Sequence, residues 1–198
     1  MKQYKDNYFK KAKQENYPAR SVYKLQEIHK RYHVFQKGQK VLDLGAAPGS
    51  WSLFAAEKVS KKGIVLAADK KDVDIALPEH VCFVQSDVFD PSEEFASWLD
   101  HYQEFDLLLS DMAPATSGIK LRDQTRSLEM AEKVREIGQS YLKKGGTMVV
   151  KVFTGPDLQE FLTNLKQDFK RVKTHKPESS RSESMECFVL CFGKKNKQ

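Results

Sequence analysis

From about residue 40 onward, short runs of β-branched and aliphatic residues alternate with longer segments of helical periodicity. This alternation is typical of α/β proteins, in which helices cover both faces of a mostly parallel sheet. The loop 176–185 is too short for a helical crossover, so the last two strands are predicted to pair antiparallel. The seven predicted strands are residues 40–44, 64–68, 81–85, 105–110, 147–153, 170–174 and 186–192.

Two helices are predicted from apolar residues that recur three or four positions apart. One precedes the sheet, with Ser21 as its N-cap and its end before Gly38. The other covers residues 121–142 and presents one stripe suited to packing against a sheet. The apolar residues of the first helix are Val22, Leu25, Ile28, Tyr32 and Phe35, and those of the second are Leu128, Ala131, Val134, Ile137 and Tyr141.

The length of 198 residues, with 40% hydrophobic residues, suits one domain with a buried core. No apolar stretch approaches the roughly 18 residues that a membrane span needs. The N-terminus is polar and contains acidic residues, unlike a signal or transit peptide, which predicts a cytoplasmic protein. The predicted parts of the single domain (1–198) are a basic extension and helix (1–39), an α/β core (40–193) and a basic tail (194–198).

The cysteines and histidines predict no metal site and no disulfide framework. Cys82, Cys187 and Cys191 are odd in number and lack CxxC spacing. The histidines show no metal-ligand spacing, and they are interpreted as surface or core residues. They are His29, His33, His80, His101 and His175.

Positive charge is concentrated at the two ends of the chain. Residues 1–40 carry 11 Lys and Arg against 3 Asp and Glu, and residues 170–198 carry 8 against 3. Residues 41–169 carry 14 against 21. Basic ends of this kind indicate a polyanionic partner.

Aromatic residues interleave with the lysines of the N-terminal segment, an arrangement that suits stacking on unpaired RNA bases. A frayed, solvated lysine-rich terminus is the alternative, and charge alone does not choose between the two. The aromatic residues are Tyr4, Tyr8, Phe9 and Tyr17.

Residues 41–51, VLDLGAAPGSW, form an apolar strand followed by a glycine-containing turn and the start of a helix. Glycine at a strand end allows close approach of the backbone to a ligand, and the helix start offers free amides. Gly45 and Gly49 match neither GxGxxG nor GxxxxGK[ST], so dinucleotide and P-loop sites are disfavoured.

Three aspartates follow successive strands. Asp69 ends the second strand, where a carboxylate can accept hydrogen bonds from ribose hydroxyls, and Asp87 and Asp111 follow the third and fourth. Each alone is typical of a loop cap. Together they predict a ligand site along the carboxyl edge of the sheet, where open parallel sheets bind ligands.

Four motifs resemble the FtsJ/RrmJ (RlmE) family of ribosomal RNA 2'-O-ribose methyltransferases. They are LDLGAAPGSW at 42–51, SDMAP at 110–114, VKVF at 150–153 and KPESSR at 176–181. The resemblance extends from Tyr8 to Gly193 and preserves the family's order and spacing. It implies a Rossmann-like class I methyltransferase fold, S-adenosylmethionine as cofactor, and a uridine of large-subunit rRNA as substrate.

The resemblance also implies site residues. The family's Lys-Asp-Lys-Glu catalytic tetrad falls on four positions of this chain, and Glu183 competes with Glu186 for the glutamate. Ser50 stands where the family commonly has a second glycine, a departure not expected to abolish binding. The implied tetrad is Lys24, Asp111, Lys151 and Glu186, and the implied cofactor positions are Gly49, Trp51, Asp69, Asp87 and Asp111.

The chemistry of methyl transfer to a ribose hydroxyl requires in-line approach and removal of a proton from a weakly acidic alcohol. Lys151 is the candidate base, and a lysine in this role needs a pKa lowered toward about 7–8. The structural alternative for Lys151 and Glu186 is a strand-end ion pair. The matching contexts of Lys24 and Asp111 favour catalysis.

Three other functions stay open. A tRNA 2'-O-methyltransferase shares the tetrad, whereas a non-catalytic RNA-binding protein would not need it. A small-molecule methyltransferase does not need the basic ends. The expected partner is RNA, with no membrane and no DNA, and the protein is expected to be a monomer.

Overall fold

The computed structural model describes residues 2–180 and 183–196. Its centre is a sheet of seven strands in the spatial order 3-2-1-4-5-7-6. The strands are β1 (Lys40–Leu44), β2 (Ile64–Asp69), β3 (Val81–Gln85), β4 (Phe105–Ser110), β5 (Leu142–Phe153), β6 (Phe169–His175) and β7 (Glu186–Lys194). The helices are α1 (Lys2–Gln14), α2 (Val22–Tyr32), α3 (Ser50–Val59), α4 (Glu93–Tyr102), α5 (Lys120–Tyr141) and α6 (Leu158–Asp168).

Strands β1 to β5 pair parallel, and β7 pairs antiparallel with both β5 and β6. The predicted α/β class and the antiparallel last strand pair are therefore confirmed. Strand β7 is inserted between β5 and β6, so its first residue lies beside the carboxyl end of β5. This arrangement brings a C-terminal segment of the chain to the edge where parallel strands bind ligands.

Helices cover both faces of the sheet, as the alternation of apolar runs predicts. Successive residues of a strand point to opposite faces, so Val41 packs in one core cluster and Leu42 in the other. Helices α1, α2 and α3 contribute to the cluster around Val41, and α4, α5 and α6 contribute to the cluster around Leu42. Each face thus has its own buried core.

The helix before the sheet is shorter than predicted. It ends at Tyr32 because His33 adopts a left-handed conformation (φ 52°) and donates its amide to the carbonyl of His29. Phe35 is buried as predicted, but it lies beyond the helix, where its ring meets Phe54 at 5.7 Å. Ser21 occupies the N-cap position without a side-chain capping hydrogen bond.

The boundary between α5 and β5 also differs from the prediction. Strand β5 begins at Leu142 rather than at residue 147, and α5 ends at Tyr141 instead of continuing to Leu142. Leu142 pairs with Phe105, which extends β5 backward along β4. The two consecutive glycines 145 and 146 conceal this extension in the sequence, because glycine is unusual inside strands.

The N-terminal segment from Tyr8 to Tyr17 packs against the folded core, so for these residues the interpretation as a frayed terminus is wrong. Ala12 on α1 is 2% exposed, and the ring of Tyr8 lies 5.2 Å from that of Tyr23. Tyr17 donates a hydrogen bond to Glu57 at 3.2 Å, and Phe9 remains exposed. Two of the aromatic residues considered for RNA stacking therefore pack against the protein itself.

In the part of the chain that the structure describes, no helix is long and apolar enough to cross a membrane. The three cysteines are free thiols. Arg181, the last residue of the KPESSR motif, lies outside the described residues.

Candidate active site

A cleft of about 370 Å³ lies at the carboxyl edge of β1, β2 and β4, where the sequence predicts a ligand site. We call it the strand-end cleft. Asp69, Asp87 and Asp111 all line it, so the structure brings together the three strand-end aspartates. The remaining lining residues are Gly45, Ala47, Lys70, Lys71, Val88, Phe89, Met112, Ala113 and Met130.

The turn after β1 requires glycine at two positions. Gly45 has φ 80°, and a Cβ there would overlap the Met112 side chain. Gly49 has φ 102°, and a Cβ there would lie 2.7 Å from Ile75 Cδ1. Both backbone conformations are unfavourable for other residues. The turn therefore packs closely against Met112 and Ile75, and its residues Gly45 and Ala47 line the strand-end cleft.

Asp69 organises the rim of the strand-end cleft. Its Oδ2 accepts the Ala47 amide at 3.0 Å, and its Oδ1 accepts the Lys71 amide at 2.8 Å. A carboxylate has about four lone-pair positions, so each oxygen can accept one further hydrogen bond. Asp69 is thus able to hold the turn after β1 and bind ligand hydroxyls.

Asp87, which also lines the strand-end cleft, is held as an anion. Its Oδ2 forms a 2.8 Å ion pair with Lys70 Nζ, and its Oδ1 accepts the Phe89 amide at 3.0 Å. Burial opposes ionisation, but Lys70, the Phe89 amide and Lys133 together lower the pKa of Asp87. The carboxylate is oriented by its neighbours before any ligand binds.

Gly49 and Trp51 are not among the residues that line the strand-end cleft. Trp51 is 3% exposed, its indole donates to the Ser21 carbonyl at 3.0 Å, and its ring lies 5.6 Å from that of Phe188. The indole therefore positions the start of α2. Any cofactor contact by Trp51 has to come from its backbone amide, in the first turn of α3, where amides lack intrahelical partners.

Ser50, which departs from the family's usual glycine, has a structural role. Its Oγ accepts the Ala19 amide at 2.8 Å and donates to the Ala19 carbonyl at 3.2 Å. The hydroxyl is buried and leaves the cleft unobstructed. Ser50 thus joins the turn after β1 to the segment that precedes α2.

Asp43 was not singled out by the sequence, although an aspartate inside an apolar strand is unusual. It is 1% exposed and accepts a hydrogen bond from Ser52 Oγ at 2.6 Å. Burial, reinforced by the nearby Asp111 and Asp69, raises the pKa of Asp43 to about 7, and the Ser52 hydrogen bond opposes this effect. Asp43 lies beneath the turn that shapes the strand-end cleft.

A second cleft, of about 520 Å³, opens on the α2 side of the sheet edge, and we call it the helix-side cleft. Lys24 and Glu186 both line it. Glu183, the competing candidate for the glutamate of the tetrad, lines it as well. The other lining residues are Arg20, Thr116, Lys120, Phe153, Ser184 and Met185.

The four residues of the implied tetrad form two ion pairs at the edges of these clefts. Lys151 Nζ lies 2.9 Å from Asp111 Oδ1 and also donates to the Asp111 main-chain carbonyl. Lys24 Nζ lies 2.7 Å from Glu186 Oε1. One pair reaches the strand-end cleft through Asp111, and the other borders the helix-side cleft.

Sheet register places the two pairs side by side. Lys151 on β5 is opposite Phe188 on β7, two residues beyond Glu186. Burial opposes ionisation of Glu186, but Lys24, the Ser180 hydroxyl and Lys151 together lower its pKa. Glu186, not Glu183, is therefore the glutamate paired with the tetrad lysine on α2.

A model of the FtsJ-like methyltransferase family matches residues 17–194. The chain belongs to this family. The match covers nearly the whole domain and includes all four motifs on which the resemblance was based. Among the described residues of this family member, no cluster of three or more His, Cys, Asp and Glu side chains is arranged to hold a metal ion.

Relatives within the family are similar along almost their full length. A ribosomal RNA large subunit methyltransferase E from Nitratidesulfovibrio vulgaris is 54% identical over 193 residues, covering 98% of this chain and 95% of the relative. Its namesake from Bdellovibrio bacteriovorus is 42% identical over 192 residues, covering 96% and 97%. A crystal structure described as a ribosomal RNA methyltransferase from Plasmodium falciparum has a TM-score of 0.80 at 27% identity, covering 91% of this chain and all (100%) of that one.

Three residues around the site were not predicted to have a role, although Ser180 lies within the KPESSR motif. Ser180 donates to Glu186 Oε1 at 2.7 Å, and Glu27 accepts the Glu178 and Ser179 amides. Arg20 borders the helix-side cleft and donates to the Ser179 carbonyl at 3.5 Å. All of these contacts involve the loop between β6 and β7.

Proposed function

We propose that the chain is an S-adenosylmethionine-dependent methyltransferase that modifies a ribose 2'-hydroxyl, that of a uridine in large-subunit ribosomal RNA. Two adjacent ion pairs carry this proposal. Asp111–Lys151 borders the strand-end cleft, and Lys24–Glu186 borders the helix-side cleft. Relatives named ribosomal RNA large subunit methyltransferase E, with 54% identity, support the substrate class.

The strand-end cleft fits S-adenosylmethionine. Its carboxylates, Asp69 and Asp87, suit ribose hydroxyls and the adenine amino group, and the turn after β1 lines the cleft with the small residues Gly45 and Ala47. The free amides at the start of α3 suit the methionine carboxylate. When bound, the cofactor supplies an electrophilic methyl group on a sulfonium.

The helix-side cleft is proposed to receive the RNA. Arg20 and Lys120 along its lining suit phosphate groups, and α1, which packs against α2 through Tyr8 and Tyr23, adds exposed lysines. The ribose that reacts then lies between the clefts, within reach of both ion pairs. Such an arrangement positions the hydroxyl for in-line attack.

Lys151 is proposed to remove the proton of the 2'-hydroxyl. Its ammonium nitrogen is buried on β5 and is held by both the carboxylate and the main-chain carbonyl of Asp111, which fixes its direction. Lys24 and Glu186 are proposed to orient the ribose from the other side. General-base catalysis of this kind contributes about 10²- to 10⁴-fold to the rate.

The decisive experiment gives the protein labelled S-adenosylmethionine with large ribosomal subunits, naked rRNA or tRNA in separate reactions. The proposal expects label in rRNA, most of all in assembled subunits, because a domain of this size has little surface with which to read RNA sequence. Label in tRNA alone would leave the chemistry intact and replace the substrate. No transfer to any RNA would refute the enzymatic assignment.

Two finer points belong to the same proposal. The protein is expected to act in the cytoplasm and as a monomer. DNA of the same sequence is expected to be inert because it lacks the 2'-hydroxyl that attacks the methyl group.

A further inference from the structure

Helix α2 contacts the loop between β6 and β7 through Glu27, a residue outside the tetrad. Its Oε2 accepts the amide of Glu178 at 2.7 Å, and its Oε1 accepts the amide of Ser179 at 2.9 Å. Both oxygens are therefore engaged with consecutive backbone donors. Hydrogen bonds to a charged acceptor are roughly twice as strong as neutral ones, so this contact fixes the loop on the helix.

The loop is a tight turn at this point. The Ser180 amide donates to the Pro177 carbonyl at 3.1 Å, which closes the turn over the two residues that Glu27 binds. Ser179 and Ser180 are 3% and 6% exposed, so the turn is packed rather than free at the surface. Holding residues 178 and 179 therefore also sets the position of Ser180.

Ser180 in turn reaches the tetrad. Its Oγ donates to Glu186 Oε1 at 2.7 Å, the same oxygen that pairs with Lys24 at 2.7 Å. Lys24 lies three residues before Glu27 on α2, and residues at this spacing share one face of a helix. The contacts thus form a closed circuit that leaves α2 at Glu27 and returns to it at Lys24.

We infer that Glu27 is a positioning residue of the methyltransferase, which orients Glu186 through the turn at residues 177–180 and the hydroxyl of Ser180. The inference rests on the proposed function for its catalytic consequence. A carboxylate with two acceptor oxygens is needed at this position, because two backbone donors must be satisfied at once. Small displacements of a reacting constellation can reduce the rate by about 100-fold, so loss of the circuit is expected to affect turnover.

The test begins with Glu27→Gln, which keeps the size of the side chain and replaces one acceptor oxygen by a donor. Glu27→Gln, Ser180→Ala and the double variant are compared with wild type in single-turnover methylation of large ribosomal subunits. Glu160→Gln, an exposed glutamate on α6, is the matched control. Calorimetric titration with S-adenosylmethionine and thermal unfolding accompany each variant.

If Glu27 acts through Ser180, each single variant lowers the methylation rate about 10- to 100-fold, and the double variant is no slower than the slower single variant. Affinity for S-adenosylmethionine stays within error of wild type, as it does for Glu160→Gln, and the unfolding temperatures of Glu27→Gln and Ser180→Ala fall by only a few degrees, so that both variants are folded in the assay. Equal rates in Glu27→Gln and wild type would overturn the inference. A double variant whose loss equals the product of the two single losses would also overturn it.

A second readout does not depend on activity. Carbon-13 NMR of glutamate carboxyl groups, assigned with Glu186→Gln, follows the titration of Glu186, which faces Lys24, Lys151 and Ser180. Removing the Glu27 charge by itself would lower the pKa of Glu186, whereas loss of the Ser180 hydrogen bond raises it.

Glu27→Gln and Ser180→Ala are both expected to raise the pKa of Glu186, with no further rise in the double variant. An unchanged or lowered pKa in Glu27→Gln refutes the circuit. If wild type methylates no RNA but the pKa rises as expected, the proposed function fails and the positioning contact stands.

Discussion

Lys24 on α2 and Glu186 at the start of β7 form a 2.7 Å ion pair, with side chains that are 12% and 13% exposed. The ion pair joins helix α2, which precedes the sheet in the chain, to strand β7, which lies between β5 and β6. An ion pair that is this well shielded from water contributes more than a surface pair, provided that further hydrogen bonds complete it. Ser180 supplies such a bond to Glu186.

Acid is predicted to weaken the fold through Glu186. Its pKa is lowered in the folded protein, against an ordinary value of 4.5, because Lys24, Ser180 and Lys151 outweigh burial. The ionised Glu186 carboxylate stabilises the fold fully at pH values above its pKa in the unfolded chain. This stabilisation is lost as the pH falls through the lower pKa of Glu186 in the folded protein. In denaturant unfolding, the stability advantage of wild type over Glu186→Gln should be constant from about pH 6 to 8 and shrink below about pH 4.5. An advantage independent of pH down to about pH 3 would contradict this assignment.

Lys151→Ala is predicted to abolish turnover and to leave S-adenosylmethionine binding intact, because Lys151 acts on the acceptor hydroxyl. Lys151→Arg is also predicted to fail, since a guanidinium stays protonated. Lys144→Ala, at an exposed lysine on the same strand, serves as the control. The measurements are single-turnover rates on large ribosomal subunits and calorimetric titration. Near-normal activity of Lys151→Arg would exclude a general-base role for Lys151 and leave only a role in electrostatic positioning.

Most of the sheet could be predicted from sequence because every strand except the largely polar β6 contains an apolar run. The motifs likewise pointed to the residues of the two ion pairs and to the three strand-end aspartates, which the structure brings together at the edge of the sheet. Helix α1 was missed, since its largely polar sequence hides the burial of Ala12. Glu27 could not be predicted either, because its partners are backbone amides of a distant loop, and main-chain donors leave no residue-specific pattern.

Asp69→Asn is predicted to weaken S-adenosylmethionine binding by about 1.5–3 kcal/mol, the usual cost of losing hydrogen bonds to a charged acceptor. The asparagine retains one oxygen for a neighbouring backbone amide, which limits damage to the turn after β1. Asp100→Asn on α4 is a matched exposed control. Calorimetric titration decides the matter, and an unchanged dissociation constant would move the ribose contact to another residue.

Exposed lysines of α1 are predicted to bind RNA phosphates. Because Ala12 and Tyr8 anchor α1 in the core, substitution tests this better than deletion. Lys10→Gln with Lys13→Gln should weaken RNA binding and flatten the dependence of log K on log salt by about 0.7–0.9 for each phosphate that is no longer neutralised. Lys61→Gln with Lys62→Gln removes the same charge before β2, at the opposite edge of the sheet, and should leave the slope unchanged. Equal slopes in both double variants would contradict the proposed RNA surface.

The central claim is the methylation of a ribose hydroxyl by the Lys151 site. Large ribosomal subunits from cells lacking the modification are incubated with S-adenosylmethionine and either wild type or Lys151→Ala, and the rRNA is then digested to nucleosides for mass spectrometry. The proposed function predicts 2'-O-methyluridine with wild type and none with Lys151→Ala. Methyl found on a base, or 2'-O-methyluridine formed equally by the variant, would contradict the proposal.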